Sequence, residues 1–219
     1  MKRALIVLIL SGCGPVVEAP TTESVRYFRV TPQRTALECT FGTRREAEGW
    51  GIVSSTGNMM VQARYDLSDR LLWAQASLRG ADSARVEAVG TRATIAGPGR
   101  EVQVVEVPVG VIVTSAPDWT DTFRICRLWN RARAGRQEFP GLWIHPVQPT
   151  LRLTFSAEFL RRDGELDVLT IRLRNNSPYR VWVDSSGRMI KLASLPVKDG
   201  STVLVLEGFE AAATELPNE

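Results

Sequence analysis

Histidine is almost missing from this chain: of 219 residues, only His145 is one. A single histidine excludes any one-chain metal centre built on two or more of them, HExxH zinc chemistry included. A Ser-His-Asp triad would have to use His145, which lies between Ile144 and Pro146 in an aromatic stretch and reads as a hydrogen-bonded packing residue. No Gly-x-Ser-x-Gly elbow supplies a nucleophile, and no Ser-x-x-Lys pair occurs. Gly97-Pro98-Gly99-Arg100 lacks the Gly-Lys-Ser/Thr ending of a phosphate loop. Asp163-Gly164-Glu165-Leu166-Asp167 carries alternate carboxylates but not the central glycine and later glutamate of a calcium loop, so it reads as a hairpin tip. Neither a metal nor another cofactor is expected.

A strong excess of one charge is also lacking. Lys and Arg total 27 against 24 Asp and Glu, a formal net charge of +3. Lys2 and Arg3 belong to an N-terminal segment that is expected to be removed, which brings the balance close to neutral. Nucleic-acid binding wants a strongly basic face, so no nucleic-acid partner is expected. Long apolar runs are absent as well. The longest, Ala4 to Leu10, is far short of the roughly 20 residues a membrane-spanning helix needs.

That short run has a clear use. Met1-Lys2-Arg3 is a cationic start, the apolar stretch follows, and Ser11-Gly12 are small residues of the kind a signal peptidase needs beside its cut. Leu10-Ser11-Gly12-Cys13 resembles the lipobox of bacterial lipoproteins. The resemblance covers about the first 13 residues and implies that residues 1–12 are cleaved off. It further implies that Cys13 carries diacylglycerol on its thiol and an acyl chain, palmitate being typical, on its new amine. Two or three chains anchor stably where one is marginal. Gly14, in place of Asp, implies the periplasmic face of the outer membrane where the host has one. The ordinary alternative is a secretory signal with an incidental cysteine.

Residues 13–24 then form a Pro-, Thr- and Ser-containing tether. With Cys13 lipidated, Cys39 and Cys126 remain. In an oxidising compartment an even pair reads as a disulfide, with two separately buried thiols as the alternative.

Beyond the tether, β signals dominate. Residues 150–155 and 169–174 alternate apolar and polar side chains as half-buried strands do. Asp163-Gly164 between them is a hairpin signal. Further strands are expected over residues 25–30, 37–41, 51–54, 59–65, 71–78, 85–89, 92–95, 102–113, 179–183, 189–192 and 202–206. Turns are expected at Thr56-Gly57-Asn58, Asn175-Asn176-Ser177, Asp184-Ser185-Ser186-Gly187 and Lys198-Asp199-Gly200. Such spacing suggests an all-β fold, an antiparallel sandwich. Residues 169–177 resemble the strand-then-Asn-Ser turn of bacterial Ig-like modules, which implies two Ig-like units: residues 25–137 and residues 138–219, or one continuous domain. One segment breaks the rhythm. Trp119, Phe123, Cys126 and Trp129 recur at helical spacing, with Asp118 as a cap and Gly135 as a stop, although Phe123, Ile125 and Arg127 also fit a strand.

Two stretches attract a functional reading. Arg124, Arg127, Arg131, Arg133 and Arg136 fall close together with no acid among them. They are an anion-binding candidate for phosphate or carboxylate groups of lipid, lipopolysaccharide or peptidoglycan, or else a solvated face paired with acids elsewhere. Residues 137–146 combine aromatics, prolines and a glycine into a stiff connection, either a binding loop or a plug for one end of the core. The chain therefore reads as an envelope lipoprotein with a non-catalytic body that binds an envelope polymer or a protein. A hydrolase acting on envelope glycan or lipid, and an accessory subunit of an envelope complex, are the alternatives.

Overall fold

In the computed structural model, residues 22–31, 33–79, 83–115, 119–173, 178–195 and 203–213 are described. Cys13, the signal, most of the tether, Asp118 and the expected turns at 175–177 and 198–200 lie outside them.

The first half is a run of antiparallel strands: β1 (Thr22–Val30), β2 (Thr35–Glu46), β3 (Gly49–Thr56), β4 (Met59–Asp66), β5 (Leu71–Leu78), β6 (Ser83–Val89), β7 (Arg92–Ala96) and β8 (Gln103–Glu106). A short β9 (Ile112–Thr114) leads into the helix α1 (Thr120–Leu128). The second half comprises β10 (Gln137–Trp143), β11 (Leu151–Asp163), β12 (Leu166–Arg172), β13 (Tyr179–Val183), β14 (Met189–Ser194) and β15 (Val203–Leu206), followed by a 3₁₀ turn at Glu210–Ala213.

These strands form one 15-stranded sheet, in the order β8 to β1, then β15 back to β9. Two meanders thus meet where β1 pairs with β15, Tyr27 opposite Leu206. The all-β expectation holds, in one continuous hydrogen-bonded sheet rather than two separate ones. The expected boundary at residue 137 falls at the first residue of β10, which pairs with β9 on one side and β11 on the other. Residues 137–146 are accordingly mostly a sheet strand rather than a loop or plug. Gly141 leaves room for the Phe155 ring of β11, which a Cβ there would approach to within 2.4 Å.

Every neighbouring pair is antiparallel except β9 and β10, which run parallel. Parallel neighbours cannot be joined by a hairpin and need a crossover. α1 is that crossover, which explains why helical spacing appears at this point in the sequence. Its N-cap is Trp119, without a side-chain capping bond, and it stops at Leu128, well before Gly135. Gly135 instead adopts a left-handed φ of 79° in the turn beyond.

The sheet curls so that distant strands approach: the Tyr65 hydroxyl of β4 accepts the Val113 N–H of β9 at 3.4 Å. Inward positions alternate strictly along β4, where Met59, Val61, Ala63 and Tyr65 are buried. Ala74, Ala76, Ala84 and Ala93 on the next strands are small enough to let the interior close. One core cluster runs from Tyr27 to Leu206 and takes in Phe123 and Ile125 of α1, so both halves share it. A second, smaller cluster joins Val168, Trp182, Ala193, Val203 and Val205. Fully burying one such aliphatic side chain stabilises by about 1.5–3 kcal/mol.

Candidate functional site

Residues Thr120 to Cys126 of α1 are all buried, Arg124 included, at 4% exposure. A guanidinium so deep in a fold ordinarily has its five N–H groups paired. Here Nε and Nη2 have no hydrogen-bond partner. These two nitrogens form one side of the guanidinium, the parallel fork that matches two oxygens of a carboxylate or phosphate.

The surroundings explain how the charge is tolerated. Trp50 of β3 and Tyr65 of β4 are directly opposite each other in the sheet. Their rings stack at 4.4 Å with 10° between planes. The Arg124 guanidinium carbon lies 4.1 Å from the Trp50 ring centre and 4.9 Å from that of Tyr65. Gly49 makes this close arrangement possible, since a Cβ there would sit 2.0 Å from the Tyr65 carbonyl oxygen. The nearest ion pair is long: Asp69 Oδ1 is 3.8 Å from Arg124 Nη2. The same oxygen accepts the Trp50 Nε1–H at 3.0 Å.

Burial pushes the Arg124 pKa below the ordinary arginine value, while Tyr65 and then Asp69 push it back up and Arg127 pushes it down. Arginine starts so high that the group stays cationic. Burial likewise raises the Tyr65 pKa, so the phenol is neutral.

Arg124 lines a cavity of about 550 Å³ between α1 and the β2–β5 side of the sheet. Arg44, Arg45 and Arg127 bring three more guanidinium groups to its wall, against the carboxylates of Glu23 and Asp69. Arg127 is committed to Glu23 at 2.7 Å. Trp50, Leu67 and Leu128 supply apolar wall. The cavity is thus net cationic, part apolar, and holds one buried fork with hydrogen-bonding capacity to spare.

Only two members of the arginine cluster reach it. Arg131 lies beyond the end of α1; it donates to the Ser185 carbonyl at 3.0 Å and pairs with Asp167 at 2.5 Å. Arg136 pairs with Glu138 at 3.4 Å, and Arg133 is exposed. The three therefore follow the paired or solvated reading, and Arg131, past Leu128, is not on α1 with Arg124 and Arg127. Trp50, Tyr65, Asp69, Arg44 and Arg45 were not legible as site residues, since no motif links them.

Other sequence candidates resolve differently. No disulfide joins Cys39 and Cys126; both are buried thiols of the main core. Each behaves there as a small apolar side chain beside Tyr27, and burial drives the Cys126 pKa up. His145 stacks on Trp143 at 5.4 Å, and its Nδ1 accepts the Val147 N–H at 3.2 Å. Burial, then Arg100, pushes its pKa down, opposite to the effect of a triad carboxylate. Asp163 and Asp167 serve structure, Asp163 accepting the Trp182 Nε1–H at 3.0 Å and Asp167 the Arg162 fork. Among the described residues no three His, Cys, Asp or Glu side chains are grouped to hold a metal ion.

No protein-family profile matches this chain, and no curated protein does. Among solved structures, it is similar to a DUF1089 family protein from Pseudomonas aeruginosa, at 18% identity and a TM-score of 0.45, over 74% of this chain and 92% of that one. It is also similar to a beta-barrel-like protein of the domain of unknown function DUF1849 from Brucella abortus, at 9% identity and a TM-score of 0.46, over 84% and 94% of the two chains.

Proposed function

We propose that this chain is a lipoprotein of the bacterial cell envelope, anchored through Cys13, whose β body binds an anionic ligand without catalysis. The anchoring half rests on Leu10-Ser11-Gly12-Cys13 and the tether behind it, with the outer membrane as destination where the host has one. The binding half rests on one observation: Arg124, 4% exposed and in the wall of a cavity, with Nε and Nη2 unpartnered. Burying an unsatisfied charged group costs stability. Where such a cost persists beside a cavity, a ligand that supplies the missing acceptors is the economical explanation.

The test is calorimetric titration of the purified lipoprotein, in neutral detergent, with inorganic phosphate and with acetate. Wild type is expected to bind at least one of them. Arg124→Lys, which keeps a charge but not the planar fork, is expected to bind about tenfold more weakly or worse. Equal binding by wild type and Arg124→Lys, both with intact melting curves, rejects the site.

A further inference from the structure

The Arg124 fork is out of contact with solvent although a cavity adjoins it, and Asp69 is the carboxylate beside it. Taking the cavity as an anion site, we infer that Asp69 is its resident counter-ion, a carboxylate that the two-oxygen head of the ligand displaces from Arg124. The ligand class is then a carboxylate or a phosphate monoester, held by two parallel N–H bonds. The chain already makes such a contact elsewhere: Arg26 Nε donates to Glu207 Oε2 at 2.9 Å while its Nη2 donates to Oε1.

Asp69 fits the part in three ways. Its carboxylate is 3.8 Å from Nη2, close enough to neutralise charge and too far to form a hydrogen bond, so it leaves the fork unsatisfied. Its backbone is fixed while its side chain has somewhere to go. The Gly110 N–H donates to the Asp69 carbonyl at 2.9 Å, and Asp66 Oδ1 accepts the Ser68 and Arg70 N–H groups at 2.8 and 2.9 Å, pinning the turn. The Asp69 side chain itself is 40% exposed, so it can swing outward without being buried elsewhere. Finally, Trp50 Nε1 is its hydrogen-bond partner at 3.0 Å, which makes the indole a reporter of whether Asp69 is in place.

A second consequence concerns affinity. An incoming oxyanion meets like charge at Asp69 and must break the Trp50 contact, so Asp69 holds affinity down and filters out ligands that cannot form both bonds. The backbone φ of Asp69 is +61°, a conformation that Asn and Gly accept as readily as Asp does. Asp69→Asn is therefore a clean probe: it keeps the turn and an acceptor for Trp50 but removes the charge.

The experiment titrates wild type, Asp69→Asn and Arg124→Lys with inorganic phosphate, acetate and a short-chain phosphatidic acid added as monomer. Calorimetry gives affinity, and the indole N–H resonance of Trp50, assigned by its absence in Trp50→Phe, reports displacement. The inference expects roughly tenfold tighter binding by Asp69→Asn and a ligand-induced shift of the Trp50 resonance in wild type. Phosphatidic acid outbinding phosphate would assign the head to a lipid; equal binding would assign it to the free anion. Either outcome supports displacement if Asp69→Asn is the tighter binder. Should wild type bind through Arg124 while Asp69→Asn binds equally or more weakly, the displacement idea is overturned and the anion site survives. Failure of both proteins to bind all three probes overturns both.

Discussion

Tyr27 on the first strand and Phe123 on the crossover helix stack at 4.7 Å, with 28° between their ring planes. Phe123 also meets Phe41 at 4.5 Å. Helix α1 is therefore fastened to the middle of the sheet, at the seam where the two meanders join, as well as to β9, where Thr114 Oγ1 donates to Asp121 Oδ2 at 3.2 Å. This fastening sets where the next residue, Arg124, points. Position and charge in the cavity depend on an aromatic contact one residue away.

Phe123→Ala is expected to destabilise by about 3–5 kcal/mol, the usual loss for a buried aromatic with its cavity term. It should also weaken oxyanion binding, because α1 loses its anchor on β1 and β2. Thermal melting and the same calorimetric titration check both. A melting temperature within a degree or two of wild type would show that α1 is held by other contacts.

The Asp184–Gly187 turn docks on the end of α1. Gly187 has φ +81°, and a Cβ there would lie 3.2 Å from the Cys126 carbonyl oxygen. Gly187→Ala is expected to cost about 1–2 kcal/mol from the left-handed backbone alone, with more from the contact. Chemical denaturation measures it, and an unchanged midpoint would contradict the turn geometry.

Cys39 and Cys126 are both buried beside the Tyr27 ring. Alkylation of the native protein by iodoacetamide should leave both unlabelled, since the reagent needs an exposed thiolate and burial raises the Cys126 pKa. Labelling of both after unfolding without reductant, read by mass spectrometry, is the expected result. A bridged peptide pair would instead restore the disulfide expected of an oxidising compartment.

Much of the strand plan is legible in the sequence, and the reasons are local. Alternation around Leu151 and Leu169, and Asp163-Gly164 between them, specify a hairpin through side-chain period and turn chemistry, and β11 and β12 form it. Alternation says which face is buried but not which strand lies next door, so one curled sheet and two packed sheets read alike. The parallel β9–β10 pair hides in three residues of strand, too few for a pattern. The site was harder still. Arg124 looked like one of five similar arginines; only the tertiary fastening of α1 turns it inward. Asp69 and Trp50 meet through a hairpin 19 residues long in sequence separation, with no motif to mark the pair.

Lipidation is tested separately from binding. Cys13→Ser should abolish palmitate incorporation and leave an unprocessed product, because the thiol is the first acyl acceptor in a lipobox-type signal. Equal labelling of both proteins would remove the anchor from the proposal while leaving the Arg124 cavity untouched.

Arg124→Met separates a structural role for this residue from a ligand-binding one. If Arg124 were there for stability, losing it would remove its contacts with Trp50 and Tyr65, each cation–π contact being worth up to about 2 kcal/mol when desolvated. Against that stands the desolvation of a charge with two unpartnered nitrogens, several kcal/mol in a protein interior. A methionine of similar length keeps apolar packing against both rings without that cost. The balance favours the variant, so Arg124→Met should melt at the same temperature as wild type or a few degrees above it. Wild type should gain melting temperature as phosphate is added, since a ligand bound only to the native state stabilises it by mass action. Arg124→Met should not respond. A variant that melts well below wild type, together with a wild type indifferent to phosphate, would mean that the guanidinium is part of the core and that the cavity beside it holds nothing.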